Sequence, residues 1–179
     1  MTLIEKLDQR WYPKHGNAWD AVRFREIILQ RLCQSKTLLD IGAGRGASAN
    51  MHFKGHAGKV IGADIDPVVL TNPHVDEAVV VSVSRFDGVD NSSIDIAVAK
   101  DVMEHVADPQ AFLSEIYRVL KPGGIFLGKR QTAGITCLLS RHALHSGFTN
   151  FTIDCAVAKK WTRFLHLFAQ YPRGDSPSC

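Results

Sequence analysis

The chain has 179 residues, the size of one domain that buries about two-thirds of its extended surface. A hydrophobic share of 45% with 22% charged residues excludes disordered and collagen-like classes, and no apolar run approaches the roughly 18 residues of a membrane span. The net charge of +3 is uneven: residues 1–128 hold 14 Lys/Arg against 16 Asp/Glu, and residues 129–179 hold 7 against 2, but these basic residues form no run or stripe that would predict a nucleic-acid partner.

The N-terminus, MTLIEKLDQRW, carries acids and no apolar core of a signal peptide. Cys33, Cys137, Cys155 and Cys179 show no CxxC spacing, so a reduced, cytoplasmic setting is expected. Asn17 or Asp20 is a candidate cap for a helix to about Gln34, with Val22, Phe24, Ile27, Ile28 and Leu32 at its apolar positions. The run 36–42, KTLLDIG, reads as a buried strand ended by glycine. A helix over 45–53 is expected to leave that turn. Residues 59–65, 77–83 and 93–99 read as three further strands.

Asp108-Pro109 then places a cap and a first-turn proline at the start of a helix. Its apolar residues Phe112, Leu113, Ile116, Val119 and Leu120 fall at helical spacing, and KPGG (121–124) stops it. IFLGK (125–129) reads as a fifth strand. Strands alternating with helices predict a parallel sheet covered on both faces.

The first turn, LLDIGAGRGA, lets backbone approach a ligand closely and aims a helix N-terminus at it. It fits the dinucleotide pattern G-x-G-x-x-A and equally the D-x-G-x-G-x-G loop of S-adenosylmethionine sites. Asp64, 22 residues after Gly42, suits the ribose hydroxyls of either ligand. Asp40 separates them: a carboxylate inside an apolar strand favours a cationic ligand and repels a pyrophosphate.

Four stretches, LLDIGAGRG, VIGADIDP, SIDIAVAKDVMEHVADP and RVLKPGGIFL, resemble class I S-adenosylmethionine-dependent methyltransferases in order and spacing. The likeness is to the type 11-like group with E-H-V after strand four, and it covers about residues 36–129. It implies an α/β fold with a Rossmann-like, doubly wound, mostly parallel sheet and S-adenosylmethionine as cofactor. By the same resemblance Asp40 orients the methionine end, Gly42, Ala43 and Gly44 line the loop, Asp64 holds the ribose and Ile65 packs on the adenine. Ala99 and Lys100, continued by Asp101, pass under the methyl donor. Glu104 and His105 match the E-H pair, as structural ties or as acid–base groups. No residue cluster has metal-ligand spacing, so no metal is expected. The implied acceptor is a small molecule.

Two departures stand out. Many relatives carry an acid after strand three for the adenine amino group, where this chain has VSVSRFDG with Ser82 or Ser84. Trp11, Tyr12, His15 and Trp19 are candidates for a lid or for plain packing. After Lys129 the family continues K-T-P-N-x-W-H-Y and two more strands, whereas this chain reads GKRQTAGITCLLS onward. Taking each third base with the first two of the next codon lets Lys129–Thr136 encode T-P-N-R-W-H-Y, and WTRFLHLF encode V-D-T-F-P-T-x-F. The expected organisation is therefore a methyltransferase core over 1–129 and an atypical basic tail over 130–179, either frame-shifted or a divergent, poorly ordered segment. The sheet is then incomplete at its C-terminal edge, with strands six and seven missing or altered and strand five exposed. The rival functions are an NAD(P)-dependent oxidoreductase and a non-catalytic methyltransferase remnant.

Overall fold

The computed structural model describes residues 10, 19–82, 85–129, 136–140 and 153–154. Its elements in chain order are helix α1 (Trp19–Leu29), strands β1 (Thr37–Ile41), β2 (Lys59–Asp64), β3 (Glu77–Val80) and β4 (Ile94–Lys100), helix α2 (Pro109–Val119), and strands β5 (Leu120–Lys129), β6 (Thr136–Ser140) and β7 (Ile153–Asp154). One sheet runs β3-β2-β1-β4-β5-β6-β7. The first five strands pair in parallel, and β6 and β7 pair antiparallel.

The chain moves outward from β1 to β2 and β3, then returns to lay β4 on the other side of β1. Such a reversal opens a crevice beyond the carboxyl ends of β1 and β4, where ligands of open α/β sheets bind. Gly42 follows β1 and Asp101 follows β4, so the loops singled out in the sequence flank it.

Strand alternation divides the core. Leu39, Ile41, Ala63, Ala97 and Phe126 face α2, which contributes Phe112, Leu113, Ile116 and Val119. Leu38, Val60, Ile96, Val98 and Leu127 face the other way with Phe24 and Ile28 of α1. Asp40, two residues beyond Leu38, belongs to the second face.

The helix at α2 starts as predicted. Asp108 Oδ1 accepts from the Gln110 and Ala111 amides, and Pro109 opens the first turn. It ends one residue earlier than expected, because Leu120 already pairs with Ile94 as the start of β5. KPGG then sits inside that strand as an irregularity: Leu120 pairs with Ile94, and pairing resumes at Ile125 with Ile96. Lys121 Nζ bonds Asp95 Oδ2 at 2.6 Å across it.

Other expectations need correction. Helix α1 stops at Leu29, not Gln34, where Arg31 N reaches Ile28 O and Leu32 N reaches Leu29 O in tighter turns. Asp20 lies within its first turn, and Asn17 falls outside the described residues, as do Val83, Ser84, Trp11, Tyr12 and His15. Strand β3 ends at Val80 rather than residue 83. The helix expected over 45–53 is a single short 3₁₀ turn, Ala49–Met51. Glycine at 46, serine at 48 and asparagine at 50 disfavour helix, and Arg25 Nη1 takes the carbonyls of Asn50 (3.2 Å) and His52 (2.7 Å). Strand β5 is not an open edge either. Strand β6 covers it from Ile125–Ser140 to Lys129–Thr136, so the sixth and seventh strands are present in an altered, short antiparallel form.

Candidate functional site

The turn after β1 is held by its neighbours in the sheet. Gly42 N and Ala43 N both donate to Ala63 O, at 2.8 and 3.3 Å. Gly42 has φ +79°, and a Cβ there would run into the Val102 side chain. Only glycine meets both demands. Gly44 and Gly46 also have positive φ, +48° and +78°, and the turn folds back over the end of β2.

Asp64 ends β2 and braces that turn: its Oδ2 accepts from Gly44 N at 2.8 Å and its Oδ1 from Asp66 N at 2.9 Å. Each carboxylate oxygen keeps a further lone pair for a ligand hydroxyl. Ile65 follows with 60% of its surface exposed, beside the crevice. Val102 and Asp101 close the other side. Asp101 is a non-glycine residue at φ +57°, held by its N–H to Lys129 O at 2.8 Å. Its carboxylate meets Lys100 Nζ at 2.5 Å and Lys129 Nζ at 3.4 Å. Lys129 is itself buried and also pairs with Asp20 of α1 at 2.8 Å; that partner holds the Asp20 carboxyl below its usual range against the opposing pull of burial.

Two cavities meet at Gly42, Lys100 and Asp101. The larger, about 320 Å³, lies on the α2 face and is walled by Ile41, Val81, Phe86, Val102, Val106 and Phe112, with Asp64, Ile65, Ser82 and His105 around them. The smaller, about 140 Å³, lies on the α1 face and is polar, with Asp40, Ser48, His52, Asn72 and His74. Asp40 is 5% exposed. Burial, and then the charge of Asp64, push its carboxyl up to about 8, with Lys100 pulling the other way. Among the described residues no hydrogen bond to this carboxyl is seen, and Asp40 lines the smaller cavity.

The structure thus brings together Asp40, Gly42, Ala43, Gly44, Asp64, Ile65 and Lys100. Two of the expected cofactor residues line neither cavity: Gly44, which joins the site through its N–H on Asp64, and Ala99, which is fully buried in the core. Glu104 and His105 part company. His105 is exposed on the larger cavity, whereas Glu104 is half-buried, lines neither cavity and keeps its Oε2 sealed without a hydrogen bond. Among the described residues no group of three or more His, Cys, Asp or Glu side chains is placed to hold a metal. Sequence reasoning passed over Asn72, His52 and His74. The Asn-Pro pair at 72–73 was a turn signal, but nothing local showed which loop it faced.

The residues fit a cationic, adenosine-bearing group. On one side of Gly42 lies a buried acid with no donor among the described residues, which suits a cation; on the other lies an apolar slot ending in Asp64, which suits a base and a sugar. A dinucleotide fits less well, since the helix whose dipole would take its pyrophosphate is not formed.

The family profile described as "Methyltransferase domain" matches residues 39–128. A probable S-adenosylmethionine-dependent methyltransferase of Mycolicibacterium smegmatis is 35% identical over 126 residues, 62% of this chain and 44% of that protein. A ubiquinone biosynthesis O-methyltransferase of Paramagnetospirillum magneticum is 35% identical over 109 residues, 58% of this chain and 44% of that protein. The chain therefore spans less than half the length of these relatives. In fold it is similar to the crystal structure of a putative methyltransferase from Bacillus halodurans, with a TM-score of 0.53, 24% identity and coverage of 61% of this chain and 49% of the other.

Proposed function

The chain belongs to the methyltransferase domain family, whose methyl donor is S-adenosylmethionine, and we propose that its two cavities hold this donor for methyl transfer to a small-molecule acceptor in the cytoplasm. When bound, the donor supplies a methyl group activated on a sulfonium. The chain's residues then have mainly to position, since an in-line approach at fixed distance removes most of the barrier that is theirs to remove.

In this reading Asp40 takes the donor's ammonium group, and Asp64 takes the ribose hydroxyls with lone pairs left over from Gly44 N and Asp66 N. Ile65 covers one side of the adenine, and Val81, Phe86, Val102 and Phe112 wall its slot. Lys100 and Asp101, shared by both cavities, lie under the sulfonium, with the lysine charge compensated by its carboxylate neighbour. His105 is the acid–base candidate because it reaches the larger cavity. Glu104 takes no part, since it lines neither cavity and its Oε2 has no hydrogen-bond partner. The observation that carries the proposal is the buried carboxyl of Asp40, with no donor among the described residues, at the crevice beside Gly42.

Titration with S-adenosylhomocysteine against NADH tests it. Binding of the first alone, with amide shifts at Gly42–Gly44 and Asp64, supports the reading. Saturable binding of NADH at those residues, with none of S-adenosylhomocysteine, would end it.

The second reading is a core that binds donor weakly and turns over little. The sequence after Lys129 favours it, because a shifted reading frame over 130–179 permits T-P-N-R-W-H-Y and D-T-F-P-T, and residues 1–129 hold every donor contact proposed here. Sequencing the gene decides this: third bases that do not permit those strings refute the frame shift.

A further inference from the structure

The turn after β1 has lost the helix expected to leave it, yet three of its carbonyls are held by side chains. Asn72, 8% exposed, donates through Nδ2 to Ala43 O at 3.3 Å and to Gly44 O at 3.1 Å. Its Oδ1 accepts from His74 N at 2.9 Å. Two carbonyls on one side and an N–H on the other leave the amide one orientation that satisfies them all. His52 Nε2 donates to Gly46 O at 2.8 Å, and the His52 and His74 rings stack with centroids 3.4 Å apart at 15°. The fit at Gly46 is close: a Cβ there would stand 2.5 Å from Asn72 Oδ1 and 2.8 Å from His74 Cδ2.

We propose that Asn72, backed by the His52–His74 stack, is a positioning residue for the donor site: it clamps the glycine turn in the shape that a following helix would otherwise impose. The segment that carries it makes the clamp more than local bracing. Asp66 caps the 3₁₀ turn Pro67–Thr71 through Val68 N, and Asn72 ends that turn with its own N–H on Val69 O. Asp64 and Ile65 lie immediately before this segment. Asp64 therefore holds Gly44 by its N–H while Asn72 holds the same residue by its carbonyl. The two grips come from the two ends of one nine-residue stretch, so the ribose acid and the glycine turn are set together.

Asn72→Asp tests this with almost no change of shape. It keeps an oxygen for His74 N but turns the amide donor into an acceptor facing the carbonyls of Ala43 and Gly44, a juxtaposition of like dipoles. Amide exchange at Gly44 and Gly46 in the free protein is expected to quicken at least about fivefold, with Ile61 and Ala97 in the sheet unchanged. Affinity for S-adenosylhomocysteine is expected to fall about tenfold, and Asn72→Ala to fall no further. Exchange at both glycines and affinity within about twofold of the parent chain in Asn72→Asp would overturn the clamp. So would a loss confined to Asn72→Ala, which would make the residue a space-filler. The consequence for the donor rests on the proposed function, but the exchange measurement does not: a parent chain that ignores S-adenosylhomocysteine refutes the donor reading, and exchange at Gly44 and Gly46 still decides the clamp.

Discussion

Asp40 and Ile41 are neighbours on one strand, yet they open onto different chemistry. Ile41 faces α2 and a cavity of about 320 Å³ walled by aliphatic and aromatic side chains. Asp40 faces α1 and a cavity of about 140 Å³ lined by a carboxyl, an amide and two imidazoles. The period of two along a strand has been used to split one crevice into an apolar end and a polar end, with Gly42 at the join. A ligand spanning both needs a flat, apolar part and a charged part separated by a bend around that glycine. Neither cavity alone specifies such a molecule; their adjacency does.

Closing the join should break the comparison most severely. Gly42→Val forces a branched side chain into φ +79° and against Val102. The conformation alone costs about 1–2 kcal/mol and overpacking about 1–3 kcal/mol more. We expect a clear fall in melting temperature and loss of S-adenosylhomocysteine binding by at least about 100-fold, measured by thermal unfolding and ligand titration.

Asp40→Asn separates the polar end from the apolar one. It should weaken S-adenosylhomocysteine by about 30-fold at pH 8, the worth of about 2 kcal/mol for a charge-assisted hydrogen bond, and leave adenosine almost unaffected. Stability should move the other way. The folded carboxyl titrates at about 8 and the unfolded one near its ordinary value of about 4. Its contribution to stability is thus full below about pH 4 and is lost as pH rises to about 8. The variant, with no charge to bury, should gain on the parent chain across that window in urea unfolding. Affinity of the parent chain for a ligand bearing an ammonium group should climb by up to about tenfold per pH unit between 6 and 8 and then level, because the carboxyl must shed its proton to meet the cation. A flat profile would remove Asp40 from the ammonium site.

Ile65→Ser tests the apolar end more gently. The side chain is 60% exposed in the free protein, so folding should be almost indifferent to it. Covering the adenine would bury much of what remains, and about 1 kcal/mol of apolar contact, or about fivefold in affinity for both adenosine and S-adenosylhomocysteine, should be lost.

What was legible in the sequence followed from local rules. Strands β1, β2 and β4 are continuous apolar runs because both faces are buried, and α2 announces itself through Asp108-Pro109 and the spacing of Phe112, Leu113, Ile116 and Val119. Asp40 stood out because a carboxylate in such a run has no apolar explanation. The failures were non-local. The helix expected after the glycine turn lost its carbonyls to Arg25 on a distant helix, and no reading of residues 45–53 alone would show that. Asn72 reads as a turn residue, and its role depends on a loop 28 residues upstream. Ala99 was placed at the site by its position in a motif, but alternation along β4 turns it into the core while its neighbour Lys100 lines the crevice. The strand edge was misjudged because antiparallel pairing uses backbone groups and asks little of a sequence that has left its family's pattern.

The smallest effect we expect lies at the edge of the apolar cavity, where many relatives carry an acid near the position of Ser82 or Ser84 and where Ser82 lines the wall. That serine is exposed, and its Oγ donates to Arg85 O at 3.3 Å. The turn itself is carried by backbone, Ser82 N to Arg85 O at 3.0 Å and Arg85 N to Ser82 O at 3.3 Å. A carboxylate can therefore be introduced there without undoing the turn, and Arg85 is already engaged by Asp87 at 2.7 Å. Ser82→Asp should tighten S-adenosylhomocysteine by about threefold, less than a fully buried charged hydrogen bond because the site is open to water. The gain should vanish for the inosine analogue, which presents a carbonyl where adenine presents an amino group and would meet the new carboxylate as one acceptor meets another. Equal gains for both analogues would mean that the base does not reach Ser82, and that the adenine lies nearer Val106 and Phe112 than the position of this serine implies.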